Sequence, residues 1–557
     1  MKLIHIYIKE HKAVRDLNIS LGGEIVCHVQ GEFVNAQYRA DTSAYYNGYH
    51  FSAIIGANGV GKSSILDFLE SVYFPTDSSG VLVFLDNESR INICQINHEV
   101  FDCSLPFYKY SDYEEFARYY KVTLVKINNI SAAQSKLGYK RKFKHSLIQE
   151  RALEQYTANS HLRKKYFDNL IDYLRWNQSG QDVIHDVGFE FKFQNSFRKL
   201  DTLVSSDVYE ERIKHDLIDA KKNILKKKRS QISAKTNDIY EFLVEALCAS
   251  IIVELAATSG DKRSIVLAVM QVYFVKSLSS GDLNFSRSIW NALEALRYEE
   301  NWQIFNEMRK NGKPYELSSI DVDVDKLQAL YFEYLEVLRD IAECLRLGRI
   351  AIEGNGTLVA LVDNFGPASK VVYLASRLPR NILSNINWGW RGISTGEMAY
   401  AHLFSETYNC SKKTKRASNI ILIDEADLYL HPEWQRSFLS SYLELLGRLE
   451  WGKSRPQIVI TTHSPIIISD FLPQDIVSLA KNDYGKVEVK ESLGFGTNIT
   501  NLFIDGMHLT ATVGEHSRKA IISLVKKSES QNLSALDKEL ISMMGNRFVR
   551  EYLLKND

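Results

Sequence analysis

Eight consecutive residues, Gly56-Ala57-Asn58-Gly59-Val60-Gly61-Lys62-Ser63, carry the most legible chemistry in this chain. They fit the pattern G-x-x-x-x-G-K-[ST], a loop whose backbone N–H groups wrap the phosphates of a nucleotide. The loop follows an apolar run, Phe51 to Ile55, and opens a helical pattern from Ser64 to Val72. That strand–loop–helix context is the one the motif needs. It aims amide donors, including that of Ser64, and the positive end of a helix at an anion, while Lys62 adds a point charge. Ser63 is the expected magnesium ligand.

A second stretch, Ile420-Ile421-Leu422-Ile423-Asp424-Glu425, ends an almost wholly apolar strand in two acids. Alone, this could be an ordinary strand-to-loop boundary. Beside a phosphate loop, Asp424 is expected to hold magnesium through water and Glu425 to polarise the attacking water. A third strand, Gln457 to Ile460, ends in Thr461-Thr462-His463-Ser464-Pro465. A histidine at a strand tip on the same side of the sheet is placed to sense a γ-phosphate.

Ser394-Thr395-Gly396-Glu397 has two readings. Ser followed three residues later by Glu is an ordinary capping box. Capping leaves Gly396 unexplained, since Gly costs about 1 kcal/mol in a helical turn unless something approaches the backbone. A phosphate on the N–H groups of Thr395 and Gly396 would supply that reason.

Taken in order, the phosphate loop (Walker A), the Ser394 stretch, the Ile420–Glu425 strand (Walker B) and His463 resemble the motifs of ABC-type ATPases. The wide spacing before Ser394 is similar to the SMC/RecF branch. The resemblance implies a homodimer or higher oligomer sandwiching two ATP molecules, with Ser394 and Gly396 acting in trans. Two departures stand out. The family's Leu-Ser-Gly-Gly-Gln is here Ile393-Ser394-Thr395-Gly396-Glu397, and His431 in Leu430-His431-Pro432-Glu433 replaces the D-loop aspartate. The Leu-His-Pro-Glu variant is similar to OLD-like and defence-associated ATPases. Phe495-Gly496-Thr497-Asn498-Ile499, Leu502-Phe503 and Gly514-Glu515-His516 resemble the ATPase subunit of Septu-type and retron-associated antiphage systems, the PtuA-like proteins. The resembling motifs cover roughly 1–130 and 380–557.

The 557 residues are ample for a large core, and 45% hydrophobic with 24% charged residues is a globular balance. Six scattered cysteines without a C-x-x-C pair read as reduced buried residues, so a cytoplasmic protein without zinc or disulfides is expected. The start lacks a signal-peptide core, and Ser264 to Val275 is too short to span a bilayer, so no membrane association is expected. Lys+Arg and Asp+Glu both number 68, which argues against a uniformly nucleic-acid-coated surface. Two basic runs, Lys136–Lys144 and Lys221–Arg229, read as solvated faces or as a place for DNA, RNA or an acidic partner. Asp321-x-Asp323-x-Asp325 lacks the glycine and terminal glutamate of a calcium loop and reads as a helix-capping stretch.

The expected architecture is α/β: an ABC-type, SMC/RecF-like P-loop ATPase lobe split by a mainly helical insertion. Strand-like segments fill residues 1–130, and 3.6-period apolar spacing marks helices over Ser146–Trp176, Glu210–Lys228, Asn237–Ala257, Arg263–Lys276 and Val324–Leu347. The insertion is placed at 150–350, the second half of the lobe at 351–498, and a helical segment at 499–557. The 87 residues from 471 to 557 are too few for the Toprim nuclease of OLD proteins, and no H-N-H cluster or nucleophile triad is seen. No nuclease activity of the chain itself is therefore expected. The resemblance implies ATP and magnesium as cofactors and control of a separate HNH-type nuclease. A reverse transcriptase with its DNA and RNA would be a further partner in a retron setting. Competing readings are a RecF-like DNA repair ATPase and a nucleotide-bound scaffold.

Overall fold

The computed structural model describes residues 1–129, 145–153, 188–193, 285–298, 322–347, 351–352, 357–361, 386–413, 418–452, 454–506 and 511–555, with isolated positions between 166 and 300. Both basic runs, Cys248, Asp321 and the helices expected over Glu210–Lys228, Asn237–Ala257 and Arg263–Lys276 lie outside the described residues or are touched at isolated positions only.

The chain divides into two compact units. The first comprises Met1–Asn128, Arg141–Glu150 and Ser411–Asp557, and the second Asn129–Lys140 and Arg151–Cys410. The chain runs through β1 (Lys2–His11), β2 (Val14–Ser20), β3 (Ile25–Gln30), β4 (Phe33–Tyr38), β5 (His50–Gly56) and helix α1 (Lys62–Ser71). It continues through β6 (Ser79–Leu85), β7 (Ile91–Ile96), β8 (Asp102–Cys103), β9 (Phe107–Tyr110), α2 (Tyr113–Tyr120), β10 (Val122–Asn128) and β11 (Ile148–Ala152). In the second unit follow β12 (Gly188–Phe193), α3 (Phe285–Ala295), α4 (Val324–Arg346), β13 (Ala351–Ile352), β14 (Thr357–Leu361), β15 (Ile386–Arg391) and α5 (Thr395–Lys413). The first unit then resumes with β16 (Ser418–Asp424), α6 (Pro432–Arg448), β17 (Gln457–Thr461), α7 (Pro465–Ile468), β18 (Ile476–Lys481) and β19 (Val487–Lys490). After a short helix at Ile499–Asn501 and a π-helical turn at Leu502–Gly506 come three longer helices: α8 (Glu515–Glu529), α9 (Ala535–Ser542) and α10 (Arg547–Lys555).

The centre of the first unit is a seven-stranded sheet in the order β11-β10-β16-β17-β5-β18-β19. Strands β10, β16, β17, β5 and β18 are parallel, and β19 runs antiparallel at the edge. Nearly every residue of β5, β16 and β17 is buried, which is why these segments read as unbroken apolar runs. Ile65, Leu66, Phe68 and Leu69 of α1 join one core with Ile54, Leu124, Ile420, Leu422, Val459 and Leu479 of this sheet. The same core takes Ile6 and Ile8 of β1 and Leu82 and Phe84 of β6, from an antiparallel sheet in the order β2-β1-β6-β7-β9. The alternate residues Tyr7, Val81, Val83 and Ile93 face the other way, onto Ile25, Cys27, Val29 and Val34 of β3 and β4. Period-2 alternation thus places apolar side chains on both faces of a sheet covered on both sides.

In the second unit, β12 pairs antiparallel with β14 and β15, and β13 pairs with β14. Helices α3 and α4 meet through Trp290 on Phe332, and Arg297, just past the end of α3, forms an ion pair with Asp325 of α4. Two expectations are corrected here. Residues Ile148–Ala152 form a strand where a helix from Ser146 was expected. Strands β14 and β15 join β12, and β13 joins β14, in the second unit, where strands of the ATPase lobe were expected. An i, i+4 apolar pair such as Ile148 and Ala152 fits both periods, and strand partners some 170 residues away leave no local signal.

In the last three helices Leu524, Ile541 and Leu553 form a small core of their own. Ser534 and Asp537 cap α9 reciprocally, and Lys527 pairs with Asp537 at 2.8 Å. Asp323 caps α4 by accepting the Lys326 N–H at 2.9 Å. Cys27, Cys94, Cys103, Cys344 and Cys410 are free thiols. Among the described residues no helix is long and apolar enough to cross a membrane.

Candidate active site

Parallel pairing brings the carboxyl ends of five neighbouring strands together. Asn128 lies opposite Asp424, Ile423 opposite Ile460, Thr461 opposite Ile54, and Leu479 opposite Gly56. The strand carrying His463 therefore runs between the strand that enters the phosphate loop and the strand that delivers the acids. This is the edge of an open α/β sheet at which ligands bind.

The loop has the backbone its glycines permit. Gly56, Gly59 and Gly61 sit at φ +143°, +75° and +109°. A Cβ on Gly56 would lie 2.4 Å from the Leu479 carbonyl oxygen, so no other residue fits. Ala57, Asn58 and Gly59 are exposed at the loop's tip, Val60 packs into the core, and Ser63 and Ser64 open α1. Lys62 is buried, and its ammonium donates to the Gly56 carbonyl at 2.8 Å and the Ala57 carbonyl at 3.2 Å. The lysine is thus folded along the concavity it helps to form.

Across from it stand three acids. Burial pushes the Lys62 pKa down, opposed by Glu425, Asp424 and Asp427. Burial pushes the Glu425 carboxyl up, reinforced by Asp424 and Asp427 and opposed by Lys62. Burial and then Lys62 lower the His463 pKa against Asp427, which favours the uncharged imidazole. Acidic oxygens facing a buried lysine and an amide-lined loop form a donor set suited to a nucleotide with a hard divalent cation.

Two residues without an assigned role in the sequence reading hold these groups. Thr461 donates to Asp424 Oδ1 at 2.7 Å, and its oxygen accepts the Glu425 N–H, also at 2.7 Å. Glu425 adopts φ +51°, a left-handed conformation uncommon for this residue type. Asp427 accepts the Thr462 hydroxyl at 2.6 Å and the His463 N–H at 2.9 Å. A Thr-Thr-His strand end beside an Asp-Glu-Ala-Asp strand end is the signal available in the sequence, and it becomes informative only once the register is known.

On the other flank, Lys126 of β10 places its ammonium 2.9 Å from Glu70 Oε1 and 4.0 Å from Asp424 Oδ2. Burial alone would depress this lysine, but Glu70 and Asp424 outweigh it and hold the pKa above its ordinary value.

Ser394, Thr395 and Gly396 belong to the second unit, and the grouping above is one of the first unit alone. There the capping box is formed. Ser394 N–H donates to Glu397 Oε2 at 2.6 Å, and Glu397 N–H donates to Ser394 Oγ at 3.2 Å. Thr395 is exposed and Gly396 half-buried in the first turn of α5. His431, at the D-loop position, caps α6 by accepting the Glu433 N–H at 3.3 Å.

A family model described as AAA ATPase domain matches residues 1–468, most of the chain. The chain belongs to this AAA ATPase domain family. Its similarity extends to curated proteins named as a retron ATPase and as Septu proteins. It is 32% identical over 112 residues to the retron Vc95 probable ATPase of Vibrio cholerae serotype O1 biovar El Tor, covering 20% of each chain. It is 28% identical over 125 residues to Septu protein PtuA of Bacillus thuringiensis, 22% of this chain and 30% of that one. A second PtuA, from Bacillus mycoides (strain KBAB4), is 29% identical over 77 residues, 14% of this chain and 10% of the relative. The matches span less than a third of each relative's length. The resemblance to PtuA-like and retron ATPases read from the motifs is thus met by similarity over part of the chain.

Proposed function

We propose that this protein is an SMC-like ATPase of a bacterial antiphage defence complex of Septu or retron type, dimerising around ATP and magnesium to control a separate HNH-type nuclease. The observation that carries the ATPase assignment is the opposition of Lys62, folded into a glycine-built loop after β5, to Asp424 and Glu425 at the end of β16, one strand away. The similarity to the two named systems supports the defence setting.

The amides from Ala57 to Ser64 and the Lys62 ammonium hold the phosphates. Ser63 and Asp424 hold magnesium, which when bound neutralises charge on the phosphates. Glu425, with a raised pKa, orients water and accepts its proton. His463, fixed through its backbone by Asp427, donates to or accepts from the γ-phosphate and its water. Ser394, Thr395 and Gly396 present a hydroxyl and helix-terminal amides to the nucleotide of a second copy.

Glu425→Gln keeps the shape of the side chain and removes the base, so with ATP it should accumulate as a dimer in sedimentation while turning over at least about a hundredfold more slowly. Wild-type turnover in that variant would remove Glu425 from its role. The partner assignment is checked by affinity purification with the native neighbouring genes. An HNH-type nuclease should co-elute, whereas recovery of a lone dimer on duplex DNA would transfer the assignment to a repair ATPase.

A further inference from the structure

Strand β10 reads Val122-Thr123-Leu124-Val125-Lys126-Ile127-Asn128, and Lys126 is its one charge. It lies inside a parallel sheet, its side chain 11% exposed, against Glu70 at 3% and Asp424 at 8%. Three formal charges in so little water are expensive, and replacing a buried ion pair with apolar groups is often neutral or stabilising. Stability is therefore a poor reason for this lysine. Its position relative to Asp424 gives a better one.

The two oxygens of Asp424 have different neighbours. Oδ1 takes the Thr461 hydroxyl, which fixes the carboxylate's orientation, while Oδ2 faces the Lys126 ammonium at 4.0 Å. With orientation set from the other side, the lysine acts chiefly through its charge. Glu70 sits on α1, the helix whose first residues are Lys62 and Ser63, and it holds the ammonium in place at 2.9 Å.

We infer that Lys126 is a built-in countercharge to Asp424, tuning the site so that a divalent cation is retained only together with nucleotide phosphates. The inference rests on the reading of Asp424 as a metal ligand. A cation approaching Asp424 meets a carboxylate already partly neutralised by an ammonium that it shares with Glu70, and the repulsion is that of the charge Glu70 leaves uncompensated. Phosphates in the loop supply the negative charge that Lys126 takes away. Lys126 is thus a positioning residue for charge, and the empty protein is kept from filling with metal.

Truncating Lys126 alone would remove the ammonium that faces the buried Glu70, so the comparison is made on a Glu70→Gln background. Mn²⁺ binding to the full, nucleotide-free chain is followed by the loss of the free-ion electron paramagnetic resonance signal. Glu70→Gln/Lys126→Met should bind Mn²⁺ about tenfold more tightly than Glu70→Gln, and Glu70→Gln/Lys126→Arg should not. Equal or weaker binding in the Met variant would overturn the inference, as would an equal gain in the Arg variant. Adding Asp424→Asn to the Met variant should abolish the gain. A gain that survives that change would instead refute Asp424 as the ligand. Equal thermal melting of the Met and Arg variants checks that the comparison is between folded proteins.

Discussion

At the scale of single residues, the site is a set of charges held by neutral hydroxyls and amides. Thr461 serves two acids at once, orienting Asp424 with its proton and the Glu425 backbone with its lone pair. Thr461→Val keeps the volume and loses both bonds, leaving the Glu425 N–H without its acceptor. Hydrolysis should fall about ten- to a hundredfold, as when a ligand's supporting partner is lost. Stability should fall by about 1–3 kcal/mol, with Thr461→Ser restoring both. Steady-state ATPase assays beside thermal melts check this, and unchanged turnover in the valine variant would show that Thr461 orients nothing. The loop and the acids were legible because their chemistry is written in residue type and spacing. Thr461, Asp427 and Lys126 were not, because their roles arise from strand register, which the sequence does not print.

At the scale of elements, unbroken apolar runs and strict alternation made most of the first unit readable. Phe51–Ile55, Asn419–Ile423 and Gln457–Ile460 fall inside β5, β16 and β17, where burial on both faces demands apolar residues throughout. The sheet of β12 to β15 escaped because it joins segments far apart in sequence with no motif between them. Strand β1 also carries a consequence for acid stability. His5 is fully buried against Asn18 at 2.9 Å, and burial pushes its pKa from 6.5 to about 4. Below the ordinary value the unfolded chain takes up a proton that the folded chain refuses. The stability His5 contributes is therefore complete above about pH 6.5 and is lost as the pH falls towards about 4, by about 3 kcal/mol at most. His5→Gln should flatten the fall in melting temperature between about pH 7 and pH 5, and an unaltered slope would assign the acid sensitivity elsewhere.

At the scale of the whole molecule, membership of the AAA ATPase domain family covers residues 1–468, while similarity to the antiphage relatives covers only stretches of the chain. The family thus fixes a class of machine, and the defence setting depends on partners that the motif resemblance suggests. The expected ABC-like order of motifs separates into two compact units, with the phosphate loop, acids and His463 in one and Ser394–Gly396 in the other. The proposed cycle uses all of them, with Ser394–Gly396 supplied to the nucleotide of a second copy and hydrolysis coupled to control of an effector. Everything in that scheme depends on the first unit hydrolysing ATP with Lys62 and its loop. The most direct measurement is phosphate release from ATP by the purified chain with magnesium, beside Lys62→Ala. Slow, magnesium-dependent turnover is expected in the wild type, and its loss, together with nucleotide binding, in the variant. Equal phosphate release from both proteins would show that the Lys62 loop does not hydrolyse ATP.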